Sequence, residues 1–132
     1  MKKMIALILV LGCALGLNGC SNDVGVKPYK DLETAEVSSC TVHLVPPNET
    51  IQIKEINELV KLLKNLVIYE EDNSYTEYRG QGVTFVLKMV DGTEVSIMAY
   101  NPFLVIDGVG YRNEYEPCEA LNVYANRLLT AE

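Results

Sequence analysis

VTFVLKMVDGTEVSIMAYNPFLVIDGVGYR, residues 83–112, contains two Asp-Gly turns whose loop lengths follow from the alternation on either side. Before the first turn Val83, Phe85, Leu87 and Met89 share one strand face, and Thr84, Val86 and Lys88 share the other. After it, Thr93, Val95, Ile97 and Ala99 alternate with Glu94, Ser96, Met98 and Tyr100. A two-residue loop would set Leu87 against Ser96 and Met89 against Glu94, mixing both faces. A three-residue loop, Val90-Asp91-Gly92, sets Met89 against Thr93, Leu87 against Val95, Phe85 against Ile97 and Lys88 against Glu94. A one-residue slip turns every side chain over, so only the longer loop yields a dry face. A bulged turn with Gly92 at positive φ is expected. At Asp107-Gly108 the same reasoning selects a two-residue type I′ loop. It pairs Ile106 with Val109 and Leu104 with Tyr111, and leaves Phe103, Val105, Gly110 and Arg112 on the second face. Asn101-Pro102 separates the two hairpins.

Upstream, Val37–Val45 reads as a first strand, ended by Pro46-Pro47-Asn48. An amphipathic helix follows over about residues 53–66. Ile56, Leu59, Val60, Leu63 and Leu66 recur at helical spacing, and Lys54, Glu55, Glu58, Lys61 and Lys64 mark the wet side. Residues 67–69 suit a short strand. Downstream, a helix starting near Pro117 and ending about Leu129 carries Cys118, Leu121, Tyr124, Ala125 and Leu128 on its inner stripe. The sum is one α+β domain over residues 37–132, in the order β-α-β-β-β-β-β-α. Its centre is an antiparallel β-meander with both helices packed on one face; alternation leaves the strand order open. An Asp-Gly meander closed by a terminal helix resembles small secreted bacterial domains of unassigned function, a resemblance that carries no functional residues with it.

The N-terminus supplies an address. Lys2 and Lys3 precede an apolar run from Met4 to Leu17, too short to span a hydrocarbon core roughly 30 Å thick and suited to a secretory signal. It ends in Leu17-Asn18-Gly19-Cys20, which resembles the lipobox of bacterial lipoproteins; Val10-Leu11-Gly12-Cys13 would leave too short an apolar region. The resemblance implies that residues 1–19 are a cleaved signal peptide and that Cys20 carries diacylglycerol. Two or three acyl chains, at about 0.8 kcal/mol per buried methylene, then anchor the protein to the extracytoplasmic face of a bacterial membrane. Residues 20–36, polar and aperiodic after the Cys, read as the lipidated residue and a flexible tether reaching about 50 Å when extended.

Loss of Lys2 and Lys3 takes the eleven basic residues to nine against eighteen acidic ones, a net charge of −9. Such a surface argues against nucleic acid and against adsorption to anionic lipid. With Cys13 removed and Cys20 acylated, Cys40 and Cys118 remain as an even pair in an oxidising compartment, so a Cys40–Cys118 disulfide is expected. It would close a loop of about 79 residues and contribute roughly 4.5 kcal/mol by chain entropy. Two buried free thiols are the competing reading; a metal pair with His43 is disfavoured because His43 points to the opposite strand face.

Catalytic signatures are lacking in the sequence. His43 has no neighbouring nucleophile, and Ser38 and Ser39 have no Gly-x-Ser-x-Gly elbow. No Walker loop, dinucleotide-binding glycines, His-Glu-x-x-His or Cys-x-x-Cys occurs, and the acidic stretch 70–81 lacks calcium-loop spacing. No cofactor, metal ligand or catalytic residue is therefore assigned. Eight tyrosines and no tryptophan point instead to binding. Tyr111 and Tyr124 belong to the core by face. Tyr75 and Tyr78, on an acidic connection, together with Tyr100 and Tyr115, form the candidate binding set. The reading is a non-catalytic, lipid-anchored protein that binds an envelope protein or small ligand. An inhibitor or assembly factor of an envelope enzyme or machine is the alternative, and a wall or glycan hydrolase the third.

Overall fold

The two Asp-Gly turns close as their flanking alternation requires. In the computed structural model, which describes residues 24–45, 48–78 and 82–131, β4 (Gly82–Met89) and β5 (Glu94–Tyr100) pair Leu87 with Val95, Phe85 with Ile97 and Lys88 with Glu94. The Met89 N–H donates to the Thr93 carbonyl, and Gly92 sits at φ +93°. Asp91 holds this turn by accepting from the Thr93 N–H and hydroxyl at 2.9 and 2.6 Å; those hydrogen bonds hold its carboxyl below the usual carboxylate range. β6 (Phe103–Ile106) and β7 (Val109–Asn113) meet at Ile106–Val109, Leu104–Tyr111 and Phe103–Arg112. Asp107 and Gly108 both have positive φ, 48° and 86°, as a type I′ turn demands.

These four strands sit inside a seven-stranded antiparallel sheet ordered β2-β1-β4-β5-β6-β7-β3. β1 (Val37–Val45) lies along β4, and β3 (Ile68–Glu71) along β7. β2 (Glu49–Gln52) is an edge strand that the sequence does not announce. Only Ile51 of its four residues is buried, too few for alternation to register. α1 (Ile56–Lys64) and α2 (Tyr115–Ala131) both cover the face that carries Cys40, Val42, Leu44, Phe85, Leu87 and Ile97. Apart from the added edge strand β2, the α+β class, the element order and the one-sided helices agree with the sequence reading. Leu59 and Leu63 from the first helix, Leu66 just after it, and Leu121, Tyr124 and Ala125 from the second close the core. The Phe85 and Tyr124 rings stack at 6.3 Å, and Arg127 reaches Glu58 at 2.8 Å across the helix pair.

Two expectations are corrected. Residues 24–36 are not tether but fold. Val26 exchanges both backbone hydrogen bonds with Ile68, at 2.9 and 2.8 Å, and Tyr29 and Leu32 are buried in the main core. The segment packs through turns and one bridge, so it has no period to detect. Cys20, the lipobox and the signal stretch lie outside the described residues. The second correction concerns the thiols: Cys40 and Cys118 are both buried and free. Cys40 stands opposite Leu87, which stands opposite Val95. Cys118 lies against the Phe103 carbonyl, and Phe103 pairs with Tyr100, five residues further along β5. Three inter-strand steps and five residues of strand separate the two sites by about 20 Å, whereas a disulfide needs α-carbons within about 7 Å. Each thiol does face inward, as the periodicity requires; Cys40 sits in β1, whereas Cys118 sits on α2 over β6.

Burial pushes the thiol pKa of Cys40 up to about 12 and that of Cys118 up to about 11. Below pH 9 the thiols are protonated in both folded and unfolded chains, and the folded state loses nothing on their account. Above pH 9 the unfolded thiols ionise while the folded ones keep their protons, so stability falls as pH rises towards 12. At pH 8 an aromatic disulfide reagent is expected to titrate neither thiol in the native protein and both after denaturation. The Tyr124 hydroxyl is buried without a hydrogen-bond partner. Tyr124→Phe is therefore expected to hold or raise stability, by up to about 1 kcal/mol in urea titration, since it removes a desolvated group and keeps the ring.

Candidate functional site

The helix-free face of the sheet carries Thr41, His43, Thr84, Val86, Ser96 and Met98, all half-buried. Over β6 and β7 this face is roofed. Tyr100, Phe103 and Arg112 form one row across β5, β6 and β7. A 3-10 turn at Ser74–Glu77 brings two aromatic rings onto that row: the centroid of Tyr75 lies 6.3 Å from that of Phe103, and Tyr78 lies 5.8 Å from it. The Arg112 guanidinium sits 5.4 Å from the Phe103 ring centre, within cation–π reach. Phe103 is only 1 % exposed beneath these side chains, while Tyr78 is 59 % exposed above it.

A glycine lets the roof come down. At Gly110 a β-carbon would lie 2.5 Å from the Asp72 carbonyl oxygen and 2.6 Å from the Tyr75 ring, so only hydrogen fits. The Asp72 N–H donates to the Gly110 carbonyl, and the Gly110 N–H donates to Asn73 Oδ1, both at 2.8 Å. The Tyr75 hydroxyl donates to the Gly108 carbonyl at 3.1 Å, and Arg112 faces Asp72 at 3.5 Å. Asp72 also accepts from the Ser74 hydroxyl and N–H, which holds its carboxyl below the usual range. Asp72 and Asn73 thus fasten the start of the connection to β7, and Tyr75 fastens it to the β6–β7 turn.

Of the tyrosines singled out by sequence, Tyr75, Tyr78 and Tyr100 meet on this face. Tyr115 does not join them. It opens α2 on the opposite side, 59 % exposed, where it lines a shallow groove of about 540 Å³ between the helices with Glu58, Glu116, Glu119, Val123 and Arg127. Phe103 and Arg112 are the members that sequence reasoning placed on the second face without recognising as site residues. Their signal was Gly110: a glycine inside a strand marks the close approach of other chain. His43, on the same face, pairs its Nδ1 with the Thr50 hydroxyl at 2.8 Å. Among the described residues no three His, Cys, Asp or Glu side chains are grouped to hold a metal ion, and no helix is long and apolar enough to cross a membrane.

Comparison with protein-family models, curated proteins and solved structures finds no match for this chain. The site is therefore read from its own geometry.

Gly110→Ala is expected to displace the 72–78 connection from β7, because the added methyl would overlap backbone as well as ring. The readouts are faster proteolysis within residues 72–78 and a loss of stability of about 1–3 kcal/mol, with the helix signal in far-ultraviolet circular dichroism unchanged.

Proposed function

We propose that this chain is a lipid-anchored, extracytoplasmic binding protein without catalytic activity, and that it engages an envelope protein through the surface that Tyr75, Tyr78, Tyr100 and Arg112 form around the buried Phe103 ring. The observation that carries the reading is the held aromatic–guanidinium cluster on the face no helix covers. Tyrosine and arginine dominate protein interfaces because each offers large contact area and directed hydrogen bonding at modest entropy cost. Fixing the connection to β7 before binding lowers that cost further. The address rests on Leu17-Asn18-Gly19-Cys20, and the net charge of −9 supports a partner other than nucleic acid.

The test is a photocrosslinking amino acid placed at position 78 or, as a control, at Lys61 on the wet side of α1, in cells that make the lipidated protein. A discrete adduct with one envelope protein from position 78, absent from position 61 and at least tenfold weaker in an Arg112→Glu background, is the expected result. Equal labelling from both positions, or none from position 78, overturns the reading.

A further inference from the structure

The lipobox reading puts the anchor at Cys20, and the fold takes hold of the chain at Gly25, Val24 being exposed. Val26 bridges Ile68, the first residue of edge strand β3. Gly25 packs so closely on β3 that a β-carbon there would stand 2.3 Å from Val67 Cγ1 and 3.0 Å from the Tyr69 ring. Tyr29 and Leu32 then enter the core. Four residues, Ser21 to Val24, separate the acylated Cys from this strap. Five α-carbon steps span at most about 18 Å, far short of the roughly 50 Å available had residues 21–36 all been tether.

We infer that the N-terminal strap holds the domain against its own membrane with the β3 edge towards the bilayer and the β2 edge away from it. The inference rests on the lipid-anchored reading above and adds to it an orientation and a class of partner. Strand order sets the heights. β2 lies six strand steps from β3, about 29 Å. β7 and β6, which carry Arg112 and Phe103, lie one and two steps from β3, within about 10 Å of that edge. The binding surface thus stays within about 28 Å of the headgroups. Its partner is accordingly a membrane-bound protein that offers a juxtamembrane segment at that height. The proximal edge carries the exposed carboxylates of Glu70 and Glu71, so it has no charge attraction to anionic lipid. Chain length holds it there.

The test uses the full mature lipoprotein in phosphatidylcholine vesicles containing a headgroup-labelled acceptor lipid, with a donor dye on Glu70→Cys in β3 or on Gln52→Cys in β2. Native Cys40 and Cys118 are buried and leave the introduced thiol as the reactive one. Energy transfer from position 70 is expected to be at least twice that from position 52. Inserting about twenty Gly and Ser residues between Asp23 and Val24, a coil of roughly 25 Å, is expected to bring the two values together. Protein that floats with vesicles but gives equal transfer from both positions without the insert overturns the orientation and leaves the anchor standing. Protein that does not float with vesicles overturns the anchor, and the orientation with it. Gly25→Val offers a second check: crowding the strap off β3 should lower transfer from position 70 while the melting transition stays cooperative.

Discussion

Everything in this molecule depends on the register of the β4–β5–β6–β7 meander. Two turns of different length, one bulged at Gly92 and one tight at Asp107-Gly108, are what keep Phe85, Leu87, Val95, Ile97 and Leu104 on a common face. Because side chains alternate with period two, an error of one residue at either turn would put half of these groups into water. The helices have a surface to pack on only because both turns close correctly. Each Asp stabilises its register with its own side chain: Asp91 caps Thr93, and Asp107 accepts from the Ser96 N–H on the neighbouring strand. The short turns are thus sites of specificity as well as connections.

The same register generates the second face and therefore the candidate site. Once Leu104 and Tyr111 face the helices, Phe103 and Arg112 must face away from them, and so must Gly110. A phenylalanine on a solvent face exposes apolar surface, and a glycine beside it leaves room for another segment. The 72–78 connection fills that room and roofs Phe103 with two tyrosines and the Arg112 guanidinium. Core and site are two consequences of one pairing scheme, although Tyr75 and Tyr78 reach the site from a loop. The hydrogen bonds that fasten this loop suit a binding surface, since side chains already ordered in the free protein lose little further entropy on contact.

The N-terminal strap changes the mechanical picture of the protein. A segment that looks like linker supplies two core residues, Tyr29 and Leu32, and shields part of the β3 edge with backbone hydrogen bonds at Val26. Exposed sheet edges invite pairing with other chains. At this edge that tendency is met from within the chain, and at the other by a strand of only four residues, Glu49–Gln52. The buried free thiols fit a core that achieves closure by apolar packing. The sheet, with two helices on one side of it, buries every core position without a cross-link.

What the sequence determined by itself was whatever is written in short-range periodicity. The alternation at Val83–Ala99 and Leu104–Tyr111, the helical spacing of Leu59, Val60 and Leu63, and the Asp-Gly turns are local, and they specified element types, registers and faces. Tertiary structure alone decided the rest, because each remaining feature joins residues with no periodic relation. These are the pairing of β3 with β7 across the intervening strands, the capture of Val26, Tyr29 and Leu32 by the core, and the assembly of Tyr75 and Tyr78 over Phe103. The separation of Cys40 from Cys118 belongs with them. Parity and an inward-facing stripe say that a thiol is buried, but the distance between two buried thiols depends on strand order, which alternation does not encode.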